Sequence, residues 1–163
     1  METKKFIRLS MLLALSIVLN LIENMIPLFN GMVPGVKLGL ANIVILFVLY
    51  EYGFKEAISL SITRVFLVSI LSTGLFSIAF FLSLSGALLS ILAMALAKKI
   101  NKLSIVGVSI VGSLFHSLGQ VIAVCVFIAS VSGFNYLPII TLFAIPTGII
   151  TGIVSKELLK YFN

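Results

Sequence analysis

Pro34-Gly35-Val36-Lys37-Leu38-Gly39-Leu40-Ala41-Asn42 breaks the backbone at Pro34 and Gly35, carries a lone lysine, and slides through Gly39 and Asn42 into an apolar run. The backbone groups freed by a Pro-Gly turn need water or protein as partners, and the hydrocarbon core of a bilayer offers neither. The stretch therefore belongs at a membrane surface or along the wall of a cavity. Outward from it in both directions the chain is almost entirely apolar runs with cationic ends. The expectation is that this stretch forms the lip of a ligand pocket.

The composition says which solvent the chain is built for. Of its 163 residues 61% are hydrophobic and 10% charged, with a mean hydropathy of +1.29. A soluble domain averages about 25% charged residues and cannot hide this much apolar surface in one core. The composition is that of an integral membrane protein, a single transmembrane domain over residues 1–163. The net charge of +6 does not point to nucleic acid, because the cations sit at the ends of apolar runs and not among exposed aromatics. Cys125, the single cysteine, excludes an internal disulfide. Lys4, Lys5 and Arg8 open the chain like a signal peptide. Asn20, Glu23 and Asn24 then interrupt the apolar run and no small-x-small site follows closely, which suits a retained first helix.

A bilayer-crossing helix needs about 20 apolar residues, fewer where the membrane thins. The pattern predicts an all-α bundle of six transmembrane helices. They run over Phe6 to Met25, Leu38 to Tyr52, Lys55 to Ser72, Phe76 to Ala97, Leu103 to Ser130, and Leu137 to the Lys156–Lys160 region. Six spans put both termini on one side. Lys4, Lys5, Arg8, Lys55, Lys98, Lys99, Lys102, Lys156 and Lys160 then share that side, Lys37 lies opposite, and Arg64 lies within a helix. Cytoplasmic loops carry the excess of Lys and Arg, so both termini are expected in the cytoplasm of a cell-membrane protein.

Ionisable and amide side chains inside apolar spans are costly and mark candidate sites. Glu23 and Asn24 end the first helix in the layer of Lys37. Glu23 either pins the loop by pairing with Lys37 or Arg64, or faces a ligand. Asn42 enters the second helix from the same side, as bundle glue, loop cap or ligand contact. Arg64 follows Lys55 by nine residues, which at 1.5 Å each places it about 13 Å into the membrane. A guanidinium there wants a carboxylate, a carbonyl or an anionic ligand, and Glu23 is the best remote acid. His116 and Gln120, four apart, share a helix face with Gly112, beside a stripe of Ser109, Ser113 and Ser117. For His116 a bond to another helix and a ligand contact both stay open. Metal binding lacks a second histidine, and a proton relay lacks a chain of acids.

Other chemistry is missing from the sequence. There is no aspartate, five glutamates, no phosphate-binding glycine-lysine loop and no nucleophile-base spacing. Diphosphate-Mg²⁺ chemistry needs clustered carboxylates. No catalytic residue, cofactor or metal is expected. Gly148-Ile-Ile-Thr-Gly152, Gly86 with Ser90, and Ser10 with Ala14 permit close helix contact, inside the bundle or with a partner.

Pro34 to Asn42, Phe115-His116-Ser117-Leu118-Gly119-Gln120, Arg64 and Ser85-Gly86-Ala87-Leu88-Leu89-Ser90 together resemble the Gx transporter family, also labelled heptaprenyl diphosphate synthase component I. That family is similar to the substrate-binding S components of energy-coupling factor transporters. The resemblance implies a six-helix subunit that binds a small vitamin- or isoprenoid-like molecule near the outer face. By it, Lys37, Asn42, Glu23, Asn24, Arg64, His116 and Gln120 are the candidate site. It also implies docking through small residues of the first helix onto a coupling membrane protein with two ATPase subunits. The usual docking motif is Ala-x-x-x-Ala; here Ser10-x-x-x-Ala14 stands in, with Val18 next. The synthase label implies instead a non-catalytic accessory subunit of polyprenyl diphosphate or quinone metabolism, since prenyl synthases use aspartate-rich motifs. A structural subunit of a redox assembly is a third class.

Overall fold

A computed structural model describes residues 2–25, 39–100, 102–128, 134–135 and 137–162. These form six α-helices: α1 (Glu2–Met25), α2 (Leu40–Glu51), α3 (Phe54–Val68), α4 (Ile78–Lys98), α5 (Ile105–Ile128) and α6 (Leu137–Phe162). No strand occurs among the described residues. α1, α4, α5 and α6 are long and apolar enough to cross a membrane. The chain is a helical membrane protein.

α2 and α3 depart from the six expected spans, since neither is among the four helices long and apolar enough to cross a membrane, and α2 is the shorter. Its 12 residues extend about 18 Å at 1.5 Å per residue, against a hydrocarbon core of about 30 Å. It is apolar all round and buried from Ile43 to Leu49, as a helix inside a core must be. Ala57 and Leu60 of α3, Ile91 and Met94 of α4, Val108 of α5 and Leu159 of α6 complete that core. Each end of α2 meets a charge that suits its dipole. The Glu23 carboxylate accepts the Gly39 N–H at 2.5 Å at the N-terminus. At the C-terminus the Lys98 ammonium donates to the Leu49 carbonyl at 2.8 Å and lies 4.6 Å from the Tyr50 ring centroid. Gly39 has φ +75°, a left-handed conformation that a side chain would strain.

α3 continues into a π-helical turn, Ser69–Thr73, closed by Gly74 N–H donating to Ser69 C=O at 2.7 Å. Ser77 then caps α4, its hydroxyl oxygen accepting the Phe80 N–H at 3.2 Å. α4 therefore starts two residues later than Phe76. α6 runs unbroken past Pro146, as the sequence allows.

The helices alternate in direction. Lys5 pairs with Glu56, joining the starts of α1 and α3, while Lys98 joins the end of α4 to that of α2. Phe162 packs on Phe47 with ring centroids 5.0 Å apart, bringing the end of α6 to the same level. The cations other than Lys37 and Arg64 belong to this end of the bundle, on the starts of α1 and α3, the end of α4 and its turn, and the end of α6.

α4, α5 and α6 pack through small residues. A Cβ at Gly148 would lie 2.8 Å from Ile110 Cα, and one at Gly152 2.7 Å from Val106 Cα. The GxxxG motif of α6 is thus internal packing against α5. Gly112 faces Met94 and Ser90 of α4. At Gly119 an added Cβ would lie 2.6 Å from the Ser85 carbonyl oxygen, and the Ser85 hydroxyl donates to Gly119 C=O at 2.9 Å. Gly119→Ala is therefore expected to cost about 1–3 kcal/mol by overpacking. Gly107→Ala should cost nothing, because its nearest neighbour is a flexible leucine tip at 3.3 Å. Unfolding midpoints of the two variants in mild detergent check this; equal midpoints would remove the close α4–α5 crossing.

Candidate functional site

Where α2 begins, the bundle holds a cavity of about 80 Å³ lined by residues of all six helices. By the yardstick of about 10–15 Å³ per water position, it accepts several waters or a small polar group.

Helical spacing explains which side chains reach it. From α1 come Asn20, Glu23 and Asn24, at i, i+3 and i+4. From α5 come Ser113, His116, Ser117 and Gln120, again on one face. α6 supplies Ile140, Phe143, Ala144 and Thr147 with the same spacing. α2 contributes Ala41 and Asn42 beside Gly39, and α3 contributes Arg64, Val65 and Val68. The π-helical turn adds Ser69 and Thr73. Such turns displace a helix from its regular register and are frequent at functional sites.

Depth is graded. Arg64 is 3% exposed, Glu23 4% and Gln120 6%, so these form the interior. Asn24, Thr73 and Ala79 are exposed and mark the rim, at the end of the bundle away from the cationic cluster. His116 and Asn42 lie between, half-buried.

The electrostatics turn on two buried charges. Arg64 Nη1 donates to Asn42 Oδ1 at 3.4 Å, a long bond, and the charge of Glu23 acts on the guanidinium through space. Arg64 Nε is buried without a hydrogen-bond partner among the described residues, as is Asn20 Oδ1. Buried polar atoms are rarely left so, and each orphan carries a desolvation penalty of about 1–3 kcal/mol until something bonds to it. Gly86 of α4 lets His116 approach: a Cβ there would lie 3.0 Å from both the ring Cε1 and the backbone oxygen of His116.

Six of the seven residues singled out from the sequence line this one cavity: Glu23, Asn24, Asn42, Arg64, His116 and Gln120. The seventh, Lys37, lies outside the described residues, as does the Pro34-Gly35 turn. Ser113 and Ser117, read as a neighbouring stripe, belong to the lining itself, whereas Gly112 turns to α4. The sequence reading passed over Asn20 and the α6 wall. Asn20 carried a signal, standing three residues before Glu23; the α6 residues are mostly apolar and carry none.

A family model described as heptaprenyl diphosphate synthase component I matches residues 12–158. The chain belongs to the heptaprenyl diphosphate synthase component I family. The match takes in every cavity-lining residue and Ala14, but starts after Ser10. Membership as a component I implies a partner subunit. No curated protein and no solved structure matches the chain.

Proposed function

We propose that the chain is the substrate-binding membrane subunit, S-component-like, of an energy-coupling factor type uptake transporter for a small vitamin- or isoprenoid-like molecule. It sits in the cell membrane with six spans, α2 being a short one, and with both termini in the cytoplasm. It carries no catalytic machinery and relies on a coupling membrane protein with two ATPase subunits. The supporting observation is the convergence of six polar side chains from four helices on one cavity with a rim opposite the cationic end. Ligand sites between the helices of bundles combine convergent polar groups with apolar contacts, here Val65, Val68, Ile140, Phe143 and Ala144. The family description favours a second reading, a non-catalytic accessory subunit in polyprenyl diphosphate or quinone metabolism.

Mass spectrometry of small molecules released from the purified protein tests the binding reading, and an empty extract sinks it. The orientation has its own test. In a Cys125→Ser background, Leu75→Cys between α3 and α4 and Lys102→Cys between α4 and α5 lie at opposite ends of the bundle. An impermeant thiol reagent on intact cells is expected to label the first and spare the second, because Lys and Arg gather on the cytoplasmic side. The reverse pattern inverts the topology.

A further inference from the structure

We infer that the cavity takes a small amphipathic monoanion, a carboxylate, with its two oxygens on the Arg64 guanidinium and its apolar part against α3 and α6. This rests on reading the cavity as a substrate site and names the chemistry of that substrate.

The Arg64 guanidinium has five N–H donors in a planar fork. It is 97% removed from solvent, and its one bond among those described above is the long contact to Asn42, with Nε left over. A planar two-oxygen acceptor matches that fork, bonding two donors in parallel. Glu23 balances the charge from nearby, but its Oε1 is committed to the Gly39 N–H at 2.5 Å. The α2 N-terminus adds a partial positive charge of about half a unit to the same space.

Charge also limits the ligand. Arg64 is the one Lys or Arg among the described lining residues, and Glu23 acts on its charge only through space. A diphosphate brings several negative charges into this buried space and a carboxylate one, so the carboxylate carries the smaller desolvation cost. Val65 and Val68 of α3 and Ile140, Phe143 and Ala144 of α6 offer a short hydrocarbon apolar contacts, within a lining that also carries Ser69, Thr73, Ser113, Ser117 and Thr147.

The test uses the full chain in lipid nanodiscs and three matched probes: hexanoate, hexanamide and hexyl phosphate, read by saturation-transfer NMR. Hexanoate is expected to bind about tenfold or more tightly than either analogue, the scale of one charge-assisted hydrogen bond. Arg64→Lys keeps the charge but loses the fork, and should weaken hexanoate by a similar factor. Glu23→Gln keeps an acceptor for Gly39 while removing a negative charge, and should tighten hexanoate severalfold. Equal binding of acid and amide, preference for the phosphate, or indifference to both substitutions overturns the carboxylate. A neutral or cationic molecule co-purified with the wild type also overturns it, yet leaves the binding-subunit reading standing. An empty extract with no probe bound removes both.

Discussion

Glu23→Ala is expected to destabilise the bundle by about 3–5 kcal/mol, the scale for leaving a buried charge without its partner. Two losses combine at this one residue. The Gly39 N–H loses the acceptor that starts α2, and Arg64, 3% exposed, loses the carboxylate acting on it. α2 is the buried core of the bundle from Ile43 to Leu49, so fraying at its N-terminus loosens the packing of every helix around it. Glu23→Gln should fall between alanine and wild type, since the amide oxygen still accepts from Gly39. The informative variant is the double one, Glu23→Ala with Arg64→Leu. Removing both charges together leaves no isolated ion, and stability should recover most of the single-variant loss. Unfolding midpoints in mild detergent read all three. A single-variant loss under about 1 kcal/mol would mean that the pair is effectively solvated, and the graded burial of the cavity would have to be rethought.

The case of Glu23 shows how far sequence reasoning reached. Helical spacing and the rarity of charge in apolar sequence were enough to pick Glu23, Asn42, Arg64, His116 and Gln120 from five different positions along the chain. They could not tell which atoms meet. The Glu23 carboxylate was expected to meet Lys37, which lies outside the described residues, or Arg64, on which its charge acts; its hydrogen bond to the Gly39 N–H at a helix start was not legible. Any helix N-terminus presents such donors, but sequence does not announce where one will abut another helix. The helix count was legible from the breakers and cationic stops. The length of α2 was less so: Leu38 to Tyr52 reads as one apolar run, and the helix occupies Leu40–Glu51. Sequence could not show that the cavity opens where this short helix starts. The small-residue motifs were ambiguous in sequence because glycine permits close contact with any neighbour. Gly148 and Gly152 prove to face α5. The contrast with Ser10 and Ala14 is what makes α1 worth testing.

The double variant Ser10→Leu with Ala14→Leu is expected to abolish association with a coupling protein and its ATPases while ligand stays bound. Uptake against a gradient needs an energy source, and this sequence has neither a phosphate loop nor a membrane-spanning chain of acids. Under the proposed function the motor is external and must find a surface. α1 packs against α2 and α3 and turns Ser10, Met11, Ala14, Leu15 and Val18 outward. Ser10 and Ala14 are one turn apart and small, so another helix can approach closely there, beside the Lys4, Lys5 and Arg8 cluster at the cationic end. Two leucines fill that notch and hold the partner off by overpacking. The cavity should not notice. Its first α1 residue, Asn20, lies six residues beyond Ala14, about 9 Å along the axis at 1.5 Å per residue. The measurement is paired, a pull-down of the native complex and mass spectrometry of ligand retained by the isolated subunit. Loss of both signals would mean a misfolded variant. Retention of the ATPases would put the docking surface elsewhere. A wild type that captures a soluble prenyl synthase and never an ATPase would decide for the accessory-subunit reading.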